Sequence, residues 1–166
     1  MKRRPVYQAE IESYIKQSQA GPCFICKILA GDPEETHHII YEDDSAIVFL
    51  NRYPTLYGYT LVAPREHREH VTGDFSLEEY LTLQQLIYRV SEAVRQEVNA
   101  ERVYILSLGS QQGNKHVHWH IAPLPPGVPY KEQQTEALRL ERGILDLPAK
   151  EMMALAKHIR ERMEER

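Results

Sequence analysis

Three histidines, His116, His118 and His120, alternate with Val117, Trp119 and Ile121 between Lys115 and Pro123. Alternate side chains of a strand point to opposite faces, so the imidazoles share one face and the apolar residues the other. A helix would scatter both sets, and the β-branched and aromatic content favours a strand. Three aligned imidazoles can bind a metal or divide the work of a catalytic site; the bland reading is the polar face of an edge strand. A neutral imidazole attacks phosphorus well near neutral pH, provided one ring nitrogen faces the substrate and the other donates to a fixed acceptor. Flanking histidines would then donate to the charged oxygens that develop at phosphorus. The polar loop Gly109–Lys115, just ahead, offers backbone N–H groups and the amides of Gln111 and Gln112 to phosphate. An indole as large as Trp119, pointing away from the histidines, is expected in the core.

Cys23 and Cys26 are a second constellation, with the close spacing of a zinc knuckle. A closed structural zinc site takes four nitrogen or sulfur ligands, and no other cysteine exists. The remaining two ligands must be histidines, drawn from His37, His38, His67, His70 and one of the strand histidines. The alternatives are a pair of buried thiols or a redox pair, the latter disfavoured because no βαβ pattern follows.

The elements that must position these groups follow from length and pattern. A chain of 166 residues suits one compact domain with short additions. The formal net charge of −4 supplies no basic field, so nucleic-acid binding is not implied. No run approaches the length of a membrane span. Met1-Lys2-Arg3-Arg4-Pro5 is basic but is followed by no apolar signal core. Two cysteines make a poor disulfide framework, so a cytoplasmic location is expected.

Pro5 and a partial apolar stripe predict a short helix over 5–18, broken by Gly21-Pro22. Strands are expected at His38–Glu42, Ala46–Asn51 and Tyr59–Ala63, the first two joined by an Asp43-Asp44-Ser45 turn. Ser76 and Glu79 form a capping box ahead of a long apolar stripe ending near Asn99. Val103–Leu108 and the histidine stretch give the fourth and fifth strands. After the proline-rich run 123–129 no regular sheet element is expected; Glu132–Arg142 and Ala149–Glu165 read as helices. The sum is an α+β domain with a roughly five-stranded antiparallel sheet, one long helix, and N- and C-terminal helices. The expected division is an N-terminal helical extension over 1–20, the main domain over 21–128 and a tail with a helix over 129–166.

His116-Val117-His118-Trp119-His120-Ile121-Ala122 resembles the signature of the histidine triad (HIT) family, which acts on nucleotides. The resemblance extends upstream to about Cys23. Tyr41-Glu42-Asp43-Asp44 with Ala46–Asn51 is similar to the family's first hairpin, and Asn51-Arg52-Tyr53-Pro54 through Pro64 to its nucleoside-holding segment. The resemblance implies a HIT-like fold. It also implies a nucleotide hydrolase or nucleotidyl transferase that passes through a covalent nucleotidyl-histidine. His118 would be the nucleophile. His120 would bind phosphate and assist the leaving group, Asn51 would hold the ribose hydroxyls, and Gln112 and His116 would stand at the substrate. In the zinc-containing, bacterial-type branches the implied structural metal ligands are Cys23, Cys26, His67 and His116, with His70 the alternative to His67. Expected substrates are purine nucleotides: dinucleoside polyphosphates, as for the diadenosine-polyphosphate hydrolases, or nucleoside phosphoramidates. A homodimer formed through the long helix and a sheet edge is also implied. A sensor that binds nucleotides with little catalysis is the alternative. Two departures touch the phosphate contacts: Tyr57-Gly58-Tyr59 replaces a common Pro-Gly-His, and Gly113 stands where many members carry Ser or Thr.

Overall fold

A reciprocal cap starts the longest element. Glu79 N–H donates to Ser76 Oγ at 3.2 Å and Ser76 N–H donates to Glu79 Oε2 at 2.7 Å. In the computed structural model, which describes residues 1–108 and 114–165, the resulting helix runs from Leu77 to Glu97. It is α3, after α1 (Gln8–Ala20) and α2 (Phe24–Leu29). Leu83, Leu86, Ile87, Val90 and Val94, spaced three and four apart, are its buried face.

A two-residue strand, β1 (Arg3–Arg4), opens the chain. The main sheet consists of β2 (Ile39–Glu42), β3 (Ala46–Leu50), β4 (Thr60–Pro64), β5 (Arg102–Leu106) and β6 (Trp119–Leu124). Its order is β2-β3-β4-β6-β5 and every pairing is antiparallel, as the hairpin connections require. The expected α+β architecture is the one observed. Alternation sorts the sheet into two cores. Val48, Leu50, Val62, Val117, Trp119 and Ile121 pack under α3 and the C-terminal helix α5 (Ala149–Glu164). Ile47, Phe49, Leu61, Ala63, Ala122 and Leu124 face the other way, toward Ile25 of α2 and Ala137 of the short helix α4 (Thr135–Leu138). Trp119 is 4% exposed and meets Phe75 and Tyr80 edge-on at 6.0 and 6.2 Å, so its core placement holds.

Three expectations need correction. The ladder of β6 begins at Trp119, so His116 and His118 precede it. Val117 N–H instead donates to Arg68 O at 2.7 Å, and Ser107 Oγ–H donates to His118 O at 2.8 Å. These loop contacts replace the ladder bonds while the in-out alternation persists. The helix expected over 132–142 breaks into a 3₁₀ turn at Tyr130–Glu132, α4, and a second 3₁₀ turn at Leu140–Arg142. Gln134, with φ +55°, lies outside helical space and separates the first two pieces. A sheet element does follow the prolines: β7 (Ile144–Leu145) pairs with β1. It is entered through Gly143 at φ +86°, where a Cβ would sit 2.8 Å from Arg4 O.

This small sheet ties the N-terminal end and the segment before α5 to the loop after β3. Leu145 N–H donates to Pro54 O at 2.8 Å, and Arg3 donates to Thr55 O at 2.9 Å. Helix α5 is held by Arg160, which donates to Ile40 O and Ile39 O at 2.7 and 2.8 Å. Among the described residues no helix is long and apolar enough to cross a membrane.

Candidate functional site

Cys23 caps the N-terminus of α2, where its Sγ accepts the Cys26 N–H at 3.4 Å. One helical turn therefore sets both sulfurs on one side. Across from them stand His67, just beyond β4, and the fully buried His116. Cys23 Sγ lies 3.4 Å from His116 Nδ1, Cys26 Sγ 3.6 Å from the same nitrogen and 3.3 Å from His67 Nδ1. All four donor atoms lie within 4.8 Å of one another. A tetrahedron with Zn–S and Zn–N bonds of ordinary length has S···N edges of about 3.6 Å, so the arrangement fits that ion. Burial and the neighbouring Cys23 push the Cys26 thiol up to about 11, so two thiolates here need a cation between them. His70 and the other candidates, His37 and His38, are not in this cluster.

His116 uses both ring nitrogens. Its Nδ1 faces the sulfurs and its Nε2–H donates to Pro64 O at 2.8 Å, which leaves neither for a substrate atom. Burial pushes its pKa down to about 4. The neighbouring carbonyl does a second job: His118 Nδ1–H donates to His116 O at 2.7 Å. A carbonyl only accepts, so the proton sits on Nδ1 and the Nε2 lone pair is free. Burial holds the His118 pKa below its ordinary value, which keeps that lone pair available. His120, in β6, lies with its ring 4.7 Å from that of His118. Burial first, then His118, pushes it down to about 3.

These rings border a cavity of about 650 Å³, ample for a nucleotide-sized ligand. Asn51, directly after β3, stands on its wall. Its Oδ1 accepts the Tyr53 N–H at 2.8 Å, so its amide NH₂ remains as the donor for a hydroxyl. Gln112 falls outside the described residues. The structure thus brings His118, His120 and Asn51 to one cavity, with His116 also in its lining, and gathers Cys23, Cys26, His67 and His116 beside it. Sequence reasoning missed several lining residues. Phe24 and His37 stack at 5.9 Å on the cavity floor, and both meet Phe49 edge-on. Helix α1 contributes Tyr14, whose ring meets Tyr53 edge-on at 6.0 Å. No residue of α1 is fully buried, and its apolar positions Ile11, Tyr14 and Ile15 line the cavity. The stripe was legible, but its destination was not.

Comparisons with known proteins point to one family. The HIT domain family profile matches residues 32–126, more than half of the chain. An adenosine 5′-monophosphoramidase of Schizosaccharomyces pombe is 30% identical over 128 residues, covering 70% of this chain and 92% of the relative. A hypothetical histidine triad nucleotide-binding protein of Sulfolobus tokodaii superposes with a TM-score of 0.68 at 26% identity, over 86% of this chain and 93% of that one. A zinc-bound histidine triad family protein of Mycobacterium smegmatis shares the fold, with a TM-score of 0.66 at 21% identity over 86% and 94% of the two chains.

Proposed function

The chain belongs to the HIT domain family, and from that membership we propose that it is a nucleotide hydrolase or nucleotidyl transferase acting at the α-phosphate through His118. The observation that carries this reading is the 2.7 Å bond from His118 Nδ1–H to His116 O, which leaves Nε2 bare on a ring that lines the cavity. The Nε2 lone pair attacks phosphorus. An N–P bond forms while the bond from phosphorus to the leaving group breaks, and the leaving group departs with the electron pair and takes up a proton. Water then attacks phosphorus, the N–P bond breaks, and Nε2 regains its lone pair as the water proton is released. His120 donates to the non-bridging oxygens and steadies the leaving group, and Asn51 binds the ribose hydroxyls.

The substrate class we favour is a purine nucleoside phosphoramidate or a dinucleoside polyphosphate. The S. pombe relative named for phosphoramidase activity supports the first. We assign zinc, as a structural ion, to Cys23, Cys26, His67 and His116, on the strength of the donor set and its spacing. When bound it supplies rigidity to the start of the histidine stretch. A reduced cysteine pair suits a cytoplasmic location. A homodimer is supported by exposed Leu77, Leu81 and Tyr88 on α3 and exposed Ile105 on the edge strand β5. Light scattering showing only a 19.3 kDa species would refute it.

The central test is turnover of adenosine phosphoramidate and of diadenosine polyphosphates by the wild type and by His118→Ala. Activity should fall by several orders of magnitude, and mass spectrometry of a quenched reaction should find a nucleotide adduct on His118. Undiminished turnover by His118→Ala overturns the assignment. Nucleotide binding without product from any substrate would instead favour the sensor reading.

A further inference from the structure

Tyr59 stands immediately before β4, on the face of the sheet that also carries Leu61. The register sets Leu61 opposite His120, which brings Tyr59 alongside that imidazole. The two rings meet edge-on at 5.8 Å, and the phenolic oxygen lies 3.1 Å from His120 Nδ1. Tyr59 is 7% exposed, and this nitrogen is the hydroxyl's partner among the described residues. That favours a bond in which the phenol donates. If Nδ1–H donated to the phenol, the phenolic proton would find no acceptor among the described residues, and an unmade bond in so buried a side chain costs about 1–3 kcal/mol. If the phenol donates, both groups are satisfied, and the ring's own proton must sit on Nε2. Burial pushes the Tyr59 hydroxyl up to about 12, so it stays a donor at every working pH.

We propose that Tyr59 is a positioning residue that holds His120 in its Nε2–H tautomer, so that His120 presents a hydrogen-bond donor to the phosphate beside His118. The consequence is a division between neighbours. A carbonyl fixes His118 with a bare Nε2, and a phenol fixes His120 with a protonated Nε2. One ring is made a nucleophile and the other a donor by two acceptor–donor choices in the surrounding backbone and side chains. The same imidazole without Tyr59 would divide itself between tautomers, and the Nδ1–H form would point a lone pair at the phosphate oxygens. This inference rests on the proposed function for its kinetic part alone.

The test uses the full chain, labelled with ¹⁵N in its histidine rings, as wild type and Tyr59→Phe. The substitution keeps the ring and its packing. NMR of the wild type should show His120 with a protonated Nε2 and a bare Nδ1; in Tyr59→Phe the two nitrogens should move toward averaged values. In turnover of adenosine phosphoramidate, kcat should fall about tenfold with KM nearly unchanged. The same substitution placed on His120→Ala should have no further effect, because it acts through that ring. An unchanged nitrogen pattern in Tyr59→Phe overturns the proposal, as does an equal kcat loss in the His120→Ala background. Should the wild type turn over no nucleotide, the catalytic reading fails while the nitrogen spectrum still decides the role of Tyr59.

Discussion

His116 and His118 are two residues apart, and their loss should have different consequences. In His116→Ala the Pro64 carbonyl loses its 2.8 Å donor inside the protein. A lost hydrogen bond with a buried acceptor left unpaired costs about 1–3 kcal/mol. The fully buried ring also leaves a void. Removing a buried aromatic ring costs about 3–5 kcal/mol, and imidazole is smaller than phenyl, so about 2 kcal/mol is a fair share. The metal-free chain should therefore lose about 3–5 kcal/mol, and the loaded chain more, because one of four donors is gone. In His118→Ala one hydrogen bond to a carbonyl disappears from the lining of a cavity, at a cost of about 1 kcal/mol. For a chain of this size each kcal/mol moves the melting temperature by about 2–4 °C. Calorimetry should find His116→Ala lowered by roughly 10 °C or more and depleted of zinc. His118→Ala should fall by about 2–4 °C with its metal intact. A chelator should destabilise the wild type and His118→Ala but do little further to His116→Ala. Equal melting temperatures with equal zinc content would refute the assignment of His116 to the metal and return it to the substrate side.

Other perturbations test neighbouring parts of the site. His120 folds with its pKa lowered to about 3, so between pH 6.5 and 3 the unfolded chain binds a proton the folded chain refuses. Stability is complete above about pH 6.5 and falls with acid by about 1.4 kcal/mol per pH unit for this ring; urea midpoints of wild type and His120→Asn at pH 7 and pH 5 should diverge accordingly, and parallel titrations would contradict it. Gly58 sits at φ +84°, and a Cβ there would lie 2.8 Å from Val98 Cγ1. Gly58→Ala should cost about 1–3 kcal/mol by denaturant titration and disturb Tyr59 next to it. Tyr14→Ala removes the aromatic ring that α1 places at the cavity mouth. Calorimetric titration with AMP should show several-fold weaker binding with an unchanged melting temperature; unaltered affinity would mean that α1 only borders the site.

What could be read from the chain and what could not divide along a physical line. The capping box at Ser76, the stripe of α3 and the alternation around Trp119 are local signals, and the structure keeps them. The start of β6 was not legible, because it depends on Arg68 O capturing the Val117 N–H across the fold. The pairing of β1 with β7 joins residues some 140 apart through two residues each, too few for any period to register. The cysteine pair pointed to a cluster able to bind a metal, but the choice among the candidate histidines was made by where β4 ends, which set His67 and not His37 beside Cys26. Tyr59 was visible only as a departure from a pattern; its partner came from the register of β4 against β6.

The two sites share one piece of backbone, and this limits how independently they can work. His116 is gripped by its ring between two sulfurs and Pro64 O, while its own carbonyl holds the His118 proton. A shift of His116 therefore moves the acceptor that fixes the His118 tautomer. At 2.7 Å that bond has little slack, since displacement by about 1 Å takes it beyond useful hydrogen-bond range. His118 would then populate the tautomer with Nε2 protonated, which cannot attack phosphorus. The same ring would also lose its orientation toward the cavity. Cys23→Ser, which touches His116 and not the ring of His118, should accordingly lower kcat more than it raises KM, because fewer molecules hold the proposed nucleophile in its competent tautomer while the cavity wall at Asn51 stands unchanged. A loss confined to KM would show that the cysteine cluster shapes the pocket without governing His118.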